Sequence, residues 1–303
     1  MLLSQALEGL KLAKGSEGKS PHTLQVYQYG VEKLIRFTGD QDISAITRAD
    51  IERFFNELHR SSLSEASIAN VWRGIRVLYK WAEQELDAPR PEKNLPRPQP
   101  PDKQIIPYSE SECRAMINAC DKTSISSSGY VMHRPTADRD RAIIFTFLDT
   151  GLRVSELARL RIKHLDLVAG EIHVEPFRSG IKSRGRSVYV SDSAKSALWK
   201  YLARHKHQET DYLFTSGKHP MNRDSLNKLI RRLGKRADVR NANPHRFRHT
   251  FSIQYLRNGG DIYTLQKLLG HSSWKMCRKY LDIAQTDVEN AHRKASPVDN
   301  WGL

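Results

Sequence analysis

Between Asp87 and Lys103 the chain reads DAPRPEKNLPRPQPPDK, and this stretch constrains the fold more than any other. Six prolines interleave with charges there, and no apolar period survives. Proline removes a backbone donor and locks φ, so such a segment suits neither a helix interior nor the centre of a sheet. It reads as a semi-rigid, solvated linker over 89–104. A chain of 303 residues divided at that point leaves two domains, 1–88 and 105–303, each long enough to bury its own core.

Ahead of the linker the hydrophobic period is helical. After a polar leader, Ser20 and Pro21 have the form of an N-cap and first helical position, and Leu24, Tyr27, Val31, Leu34 and Ile35 follow along one face. Thr47 with Asp50 makes a capping box ahead of Ile51, Phe54, Phe55 and Leu58. A third stripe runs through Ile68, Val71, Trp72, Ile75 and Tyr79. These predict a small helical bundle. Beyond the linker, helical patterns at Ser109–Cys120, Arg139–Asp149 and Ser155–Leu160 alternate with strand signals at EIHVEP and SVYVS, which flank the turn-rich FRSGIKSRGR. The Ser-rich stretch from Thr123 to Asp138 is aperiodic and reads as a surface loop. The fold class is therefore mainly α, with a small antiparallel sheet in the second domain (α+β).

Charge narrows the partner. Lys and Arg number 49 against 34 Asp and Glu, for a formal charge of +15 and a pI near 9.8, which points to a polyanion. No apolar run approaches the ~20 residues of a membrane span. The N-terminal MLLSQALEGLKLAKG also lacks the order of charge and apolar run that a signal peptide shows. A soluble, cytoplasmic protein is expected. Cys113, Cys120 and Cys277 form no CxxC pair and read as reduced, small apolar fillers.

Four separated places carry groups fit for chemistry: TGLRVSEL with Arg153 and Glu156, the hairpin with Lys182, HRFRH with His245 and Arg248, and LGHSSWKMCRKY with His271 and Tyr280. Each alone has an ordinary explanation. Arg153 and Glu156 at i,i+3 make a common helix-surface pair, and Lys182 lies in a basic, solvated turn. His245 and His249 have the i,i+4 spacing of two zinc ligands. HRFRH, however, lacks the glutamate of HExxH and carries two arginines, which repel a dication, so no metal is expected. Tyr280 alone is a phenol with a pKa near 10. Together, two guanidinium forks, imidazoles, a lysine and a hydroxyl nucleophile would suit a dianionic pentavalent phosphate, the arginines doing the electrostatic work that Mg²⁺ performs elsewhere.

These boxes closely resemble those of the tyrosine recombinases, the integrase and Xer-like site-specific recombinases. TGLRVSEL is similar to the family's first arginine box, HRFRHTF to its His-x-x-Arg box, and LGHSSWKMCRKY to the box in which a histidine precedes the nucleophilic tyrosine. The likeness spans nearly the whole chain, with the N-terminal bundle resembling the core-binding domain and Ile105 onward the catalytic domain. It implies Tyr280 as nucleophile, Arg153 and Arg248 as phosphate clamp, and His245 and His271 as hydrogen-bonding histidines. It further implies Lys182 as the acid that protonates the leaving oxygen, and Glu156 as the residue that orients the first arginine. Arg184 and Arg186 are the nearest basic alternatives to Lys182, and Tyr189 stands where the family usually has a proline.

The reaction so implied cleaves and rejoins double-stranded DNA at specific recombination sites through a 3′-phosphotyrosyl intermediate. One phosphodiester replaces another and no P-loop is present, so neither ATP nor another cofactor is expected. The two domains would clamp duplex DNA at the nucleoid, with the basic run Lys228–Arg248 near its backbone. After a short helix in DVENAHRKA the C-terminal tail, with Trp301 as anchor, would dock on a neighbouring protomer in a homotetramer. Two other readings are a type IB topoisomerase and a catalytically silent DNA-binding regulator of the same fold. The core-binding domain argues against the first and the complete set of site residues against the second.

Overall fold

The structure, a computed structural model of the chain, describes residues 1–102, 104–121, 124–125, 131–132, 134–176, 185–204, 210–271, 273–284, 292 and 296–302. It divides into two compact units, Met1–Gln104 and Ile105–Leu303.

The first unit has four helices: α1 (Leu3–Ser16), α2 (Pro21–Thr38), α3 (Arg48–Arg60) and α4 (Glu65–Leu86). The expected caps are present. The Ser20 hydroxyl accepts from Thr23 N ahead of Pro21, and Thr47 and Asp50 form a reciprocal capping box. The leader is not irregular: α1 buries Leu3, Ala6, Leu7 and Leu10 against the same core as Tyr27, Phe54, Trp72 and Tyr79. Glycines let α2 and α4 approach closely. A Cβ on Gly30 would lie 2.7 Å from the Val71 carbonyl, and one on Gly74 2.8 Å from that of Tyr27. The proline-rich segment is not solvated throughout. Ala88 is buried with this core, and Glu92, also buried, receives two hydrogen bonds from Arg90, which reaches Glu83 as well. A charged residue folds back here because its guanidinium partner comes with it.

In the second unit, α5 (Glu110–Asp121) precedes a short antiparallel pair, β1 (Ser124–Ile125) and β2 (Val131–Met132), and α6 (Ala137–Thr150). Strand pairing and the first turn of α6 thus replace part of the loop expected over Thr123–Asp138. The next helix is a single turn, α7 (Val154–Leu157), shorter than Ser155–Leu160. An antiparallel sheet of order β3-β4-β5 follows (Leu165–Asp166, Glu171–Val174, Arg186–Tyr189), with Ile172 paired to Val188. The tip of its hairpin, Lys182 included, lies outside the described residues. Then come α8 (Asp192–Arg204), the pair β6 (Thr215–Ser216) and β7 (His219–Pro220), and α9 (Arg223–Arg236). The chain closes with α10 (Pro244–Arg257), α11 (Ile262–Leu269), α12 (Lys275–Ala284) and α13 (Pro297–Trp301). The helix expected in DVENAHRKA falls, His292 apart, outside the described residues.

The main core of this unit gathers Phe147, Leu157, Val188, Leu198, Leu229 and Phe247. A smaller cluster joins Ile253 and Leu256 of α10, Leu265 and Leu269 of α11, and Tyr280 and Ala284 of α12. Among the described residues no helix is long and apolar enough to cross a membrane.

Candidate active site

The site is built where α10 passes the C-terminal ends of α6 and α11. Helix α10 starts at Asn243, whose side chain accepts from Arg246 N, with Pro244 at the first position. His245, Arg248, His249 and Ser252 then recur at i, i+3, i+4 and i+7 and share a face. Arg246 and Phe247 point elsewhere. Arg246 bonds Glu112 and lies over the Tyr108 ring, while Phe247 stacks on Phe147 in the main core. HRFRH thus holds one structural arginine and one site arginine.

Arg248 is 1% exposed. Its Nη1 donates to the Gly151 carbonyl at 2.9 Å, and its Nη2 to the Leu269 carbonyl at 2.7 Å and to His271 Nε2 at 2.7 Å. Gly151 ends α6 and Leu269 ends α11, so both carbonyls are helix-terminal acceptors carrying partial negative charge. No carboxylate bonds the Arg248 guanidinium among the described residues. Burial first, and then the charge of Arg153, disfavour its charged form. An arriving anion would relieve both.

The end of α11 also collects Arg153 and Arg186. Arg153 Nη1 donates to Glu156 Oε1 at 3.1 Å and reaches the Leu269 carbonyl at 3.5 Å. Arg186 Nε donates to the Leu268 carbonyl at 2.6 Å, and both its Nη atoms bond Glu156, at 3.0 and 2.9 Å. Burial pushes the pKa of Glu156 up, but hydrogen bonds and charge from Arg186, then Arg153, outweigh it and hold the carboxyl at about 2. Two guanidiniums, Arg153 and Arg186, therefore share one carboxylate. Arg186, held by all three nitrogens and mostly buried, is a support and not a free acid. Two glycines shape the junction. Gly151 and Gly270 both have positive φ, and a Cβ on Gly151 would lie 2.4 Å from Phe251 Cδ1.

Arg248 offers only donors, so His271 Nε2 is the acceptor and the ring proton sits on Nδ1, which donates to Cys277 Sγ at 3.4 Å. Burial, with Arg248 and Arg153, pushes this imidazole down to about 3, so it is neutral at pH 7. Cys277 fills space as expected and also fixes this tautomer. His245 is exposed and its pKa is lowered by its surroundings and by Arg248 and Arg153. With Arg153, Arg223 and Asn227 it lines a cleft of about 310 Å³.

Tyr280 is 1% exposed, and its ring stacks near that of His271 at 6.4 Å. Burial raises its pKa, against the opposing pull of Arg248 and Ser252. Its hydroxyl shares a hydrogen bond of 3.0 Å with His249 Nδ1. The structure thus brings Arg153, Glu156, His245, Arg248, His271 and Tyr280 into one neighbourhood and adds Arg186 and His249. The signal for His249 was its i,i+4 spacing from His245. Arg186 had none to separate it from the other arginines of its hairpin.

Fold and site together define a class. Residues 108–287 match the phage integrase family, and residues 6–87 match the phage integrase N-terminal SAM-like domain. The chain belongs to the phage integrase family and is a tyrosine recombinase, a DNA strand-transferring enzyme. It is 27% identical over 301 residues to the tyrosine recombinase XerA of Thermococcus kodakarensis, covering 98% of this chain and 97% of that one. With the tyrosine recombinase XerC of Xylella fastidiosa it shares 30% identity over 296 residues, 92% of each chain. The fold is also that of a lambda integrase dimer bound to a COC′ core site, at 16% identity and a TM-score of 0.74 over 95% of this chain and 79% of that one.

Proposed function

We propose that Tyr280 attacks a scissile phosphate of a specific recombination site, forming a 3′-phosphotyrosyl link and freeing a 5′-hydroxyl. A 5′-hydroxyl from a partner strand then reverses the step. The observation that carries this reading is the buried Arg248, bonded to helix-end carbonyls and His271 and, among the described residues, to no carboxylate, beside a nucleophile on the adjoining helix. Arg153 and Arg248 grip the non-bridging oxygens, Glu156 sets Arg153, and His245 and His271 hydrogen-bond the same oxygens once phosphate raises their proton affinity. Lys182 protonates the departing 5′-oxygen. Double-stranded DNA is the partner, met at the nucleoid. The active assembly is a homotetramer in which the tail docks on a neighbour, a role suited to the exposed Trp301 of α13.

The test is covalent adduct formation on a denaturing gel, run in excess chelator because the guanidiniums supply the positive charge. The unsubstituted protein should form the adduct and Tyr280→Phe should bind DNA without forming it. An adduct surviving in Tyr280→Phe, or one that needs added Mg²⁺, would overturn the reading. Absence of any adduct from the unsubstituted protein would favour the silent regulator.

A further inference from the structure

Of the three histidines around the buried phenol, the one hydrogen-bonded to it is His249, and neither His245 nor His271. We propose that His249 is the catalytic base that takes the Tyr280 proton during strand cleavage and returns it during rejoining. The inference rests on Tyr280 being the nucleophile.

Geometry carries the assignment. Nδ1 of His249 stands 3.0 Å from Tyr280 Oη, within proton-transfer reach. The residue lies next to Arg248 on α10, so one helix holds both the proton acceptor and a phosphate clamp. Tyr280 is 1% exposed, so its proton must pass to a protein group and not to bulk water. Arg248 has no lone pair to offer, and the Ser252 hydroxyl, which also bonds the phenol and donates its own proton to the Arg248 carbonyl, is too weak a base to keep a proton. His245 is one ring further out, its centroid 4.3 Å from that of His249 in an edge-to-face contact. The charged and titratable neighbours of His249 are His245 and Arg248 from its own helix and Tyr280 from α12, and among the described residues no carboxylate bonds it. Burial, His245 and Arg248 hold its pKa down at about 4, so the imidazole stands neutral with a lone pair free.

The step balances. As the Tyr280 O–P bond forms and the P–O5′ bond breaks, the phenolic proton moves to His249 Nδ1 and leaves an imidazolium beside the bound phosphate. The 5′-oxygen takes its proton from a separate acid, the role proposed for Lys182. Rejoining runs the same transfers backwards, with the imidazolium protonating the departing phenolate.

The test uses the full-length protein and single-turnover adduct formation on a nicked duplex. The duplex carries the site mapped by cleavage of the DNA flanking the coding sequence. His249→Ala removes the base. His249→Asn keeps an acceptor near the Nδ1 position that cannot be protonated, and its similar shape preserves the packing. Both should slow adduct formation by about 10²-fold or more at pH 7 while DNA binding is unchanged. In both, the rate should then climb about tenfold per pH unit as the phenol ionises unaided, so that the gap to the unsubstituted protein narrows. Recovery to within a few-fold by His249→Asn, a defect constant across pH, or faster cleavage in either variant would overturn the proposal. The first two would leave His249 as a positioning residue, and the third as a restraint on Tyr280. Tyr280→Phe run alongside separates the two readings, since an adduct there refutes the nucleophile itself, whatever His249 does.

Discussion

Glu156 is the carboxylate that Arg153 and Arg186 both bond, and its charge state holds their arrangement together. Its pKa falls from the usual 4.5 to about 2, so the folded state favours the ionised form. A depressed carboxyl contributes stability that is fully present above its unfolded pKa and is lost as pH falls through the folded one, here between about 4.5 and 2. At roughly 1.4 kcal/mol per pH unit, that is about 3 kcal/mol at pH 7. Glu156→Gln should therefore be destabilised by about that much at pH 7, and by only about half as much at pH 3, in urea melts of the two proteins. A gap equal at both pH values would show that Glu156 acts through its shape and not its charge. The residues gathered at the site stood out in the sequence because they are chemically distinctive types at helical spacing. Arg186 was not legible, because several arginines crowd one hairpin and only folding decides which is buried against Glu156. The withdrawal of Tyr280 into an apolar cluster was equally hidden, since LGHSSWKMCRKY states the spacing and not which side of α12 faces inward.

At the scale of elements, caps and stripes located α2, α3 and α4, whereas α1 was misread as a leader. Leu3, Leu7 and Leu10 do recur at i, i+4 and i+7, but the helix has no Ser, Thr, Asp or Asn at its N-cap to announce it. The proline-rich segment lies within the first unit, and the return of Ala88 and Glu92 to the bundle was not legible, because a buried carboxylate is explained only by its partner Arg90. What sets the spacing of α2 and α4 is the pair Gly30 and Gly74, each facing a backbone carbonyl that cannot yield as a side chain would. Gly74→Ala should destabilise the first unit by about 1–3 kcal/mol, the usual cost of overpacking. Hydrogen exchange should show α2 and α4 opening together. Gly15→Ala is the control: its added methyl meets nothing within 4 Å, and removing a glycine from α1 should leave stability unchanged or raise it by about 0.4–1 kcal/mol. Equal losses in both variants would mean that the close approach is not what Gly74 provides.

Over the whole molecule the charge is unevenly placed. Of the 49 Lys and Arg, 34 fall in Ile105–Leu303 with 20 of the 34 acidic residues, so this unit carries +14 of the net +15. Helix α9 concentrates it, burying Leu226, Leu229, Ile230 and Leu233 on one face while Lys228, Arg231 and Lys235 stand exposed on the other. The first unit is nearly neutral overall, yet α4 exposes Arg73, Arg76 and Lys80 at the same i, i+3, i+7 spacing. A local row of cations can bind phosphates whatever the net charge of its domain, because counterion release depends on how many phosphates are neutralised and not on the total charge. Binding of both units to duplex DNA then makes a specific prediction. The slope of log K against log salt should be steep in the unsubstituted protein. It should become shallower by up to about 2.7 when Lys228, Arg231 and Lys235 are changed to alanine, at about 0.9 for each phosphate no longer neutralised. The same change at Arg73, Arg76 and Lys80 should have an effect of similar size. If only the α9 variant alters the slope, the second unit binds the duplex alone and the first serves another purpose. If neither does, the phosphates are met elsewhere on the protein and the basic faces of both helices are solubility features.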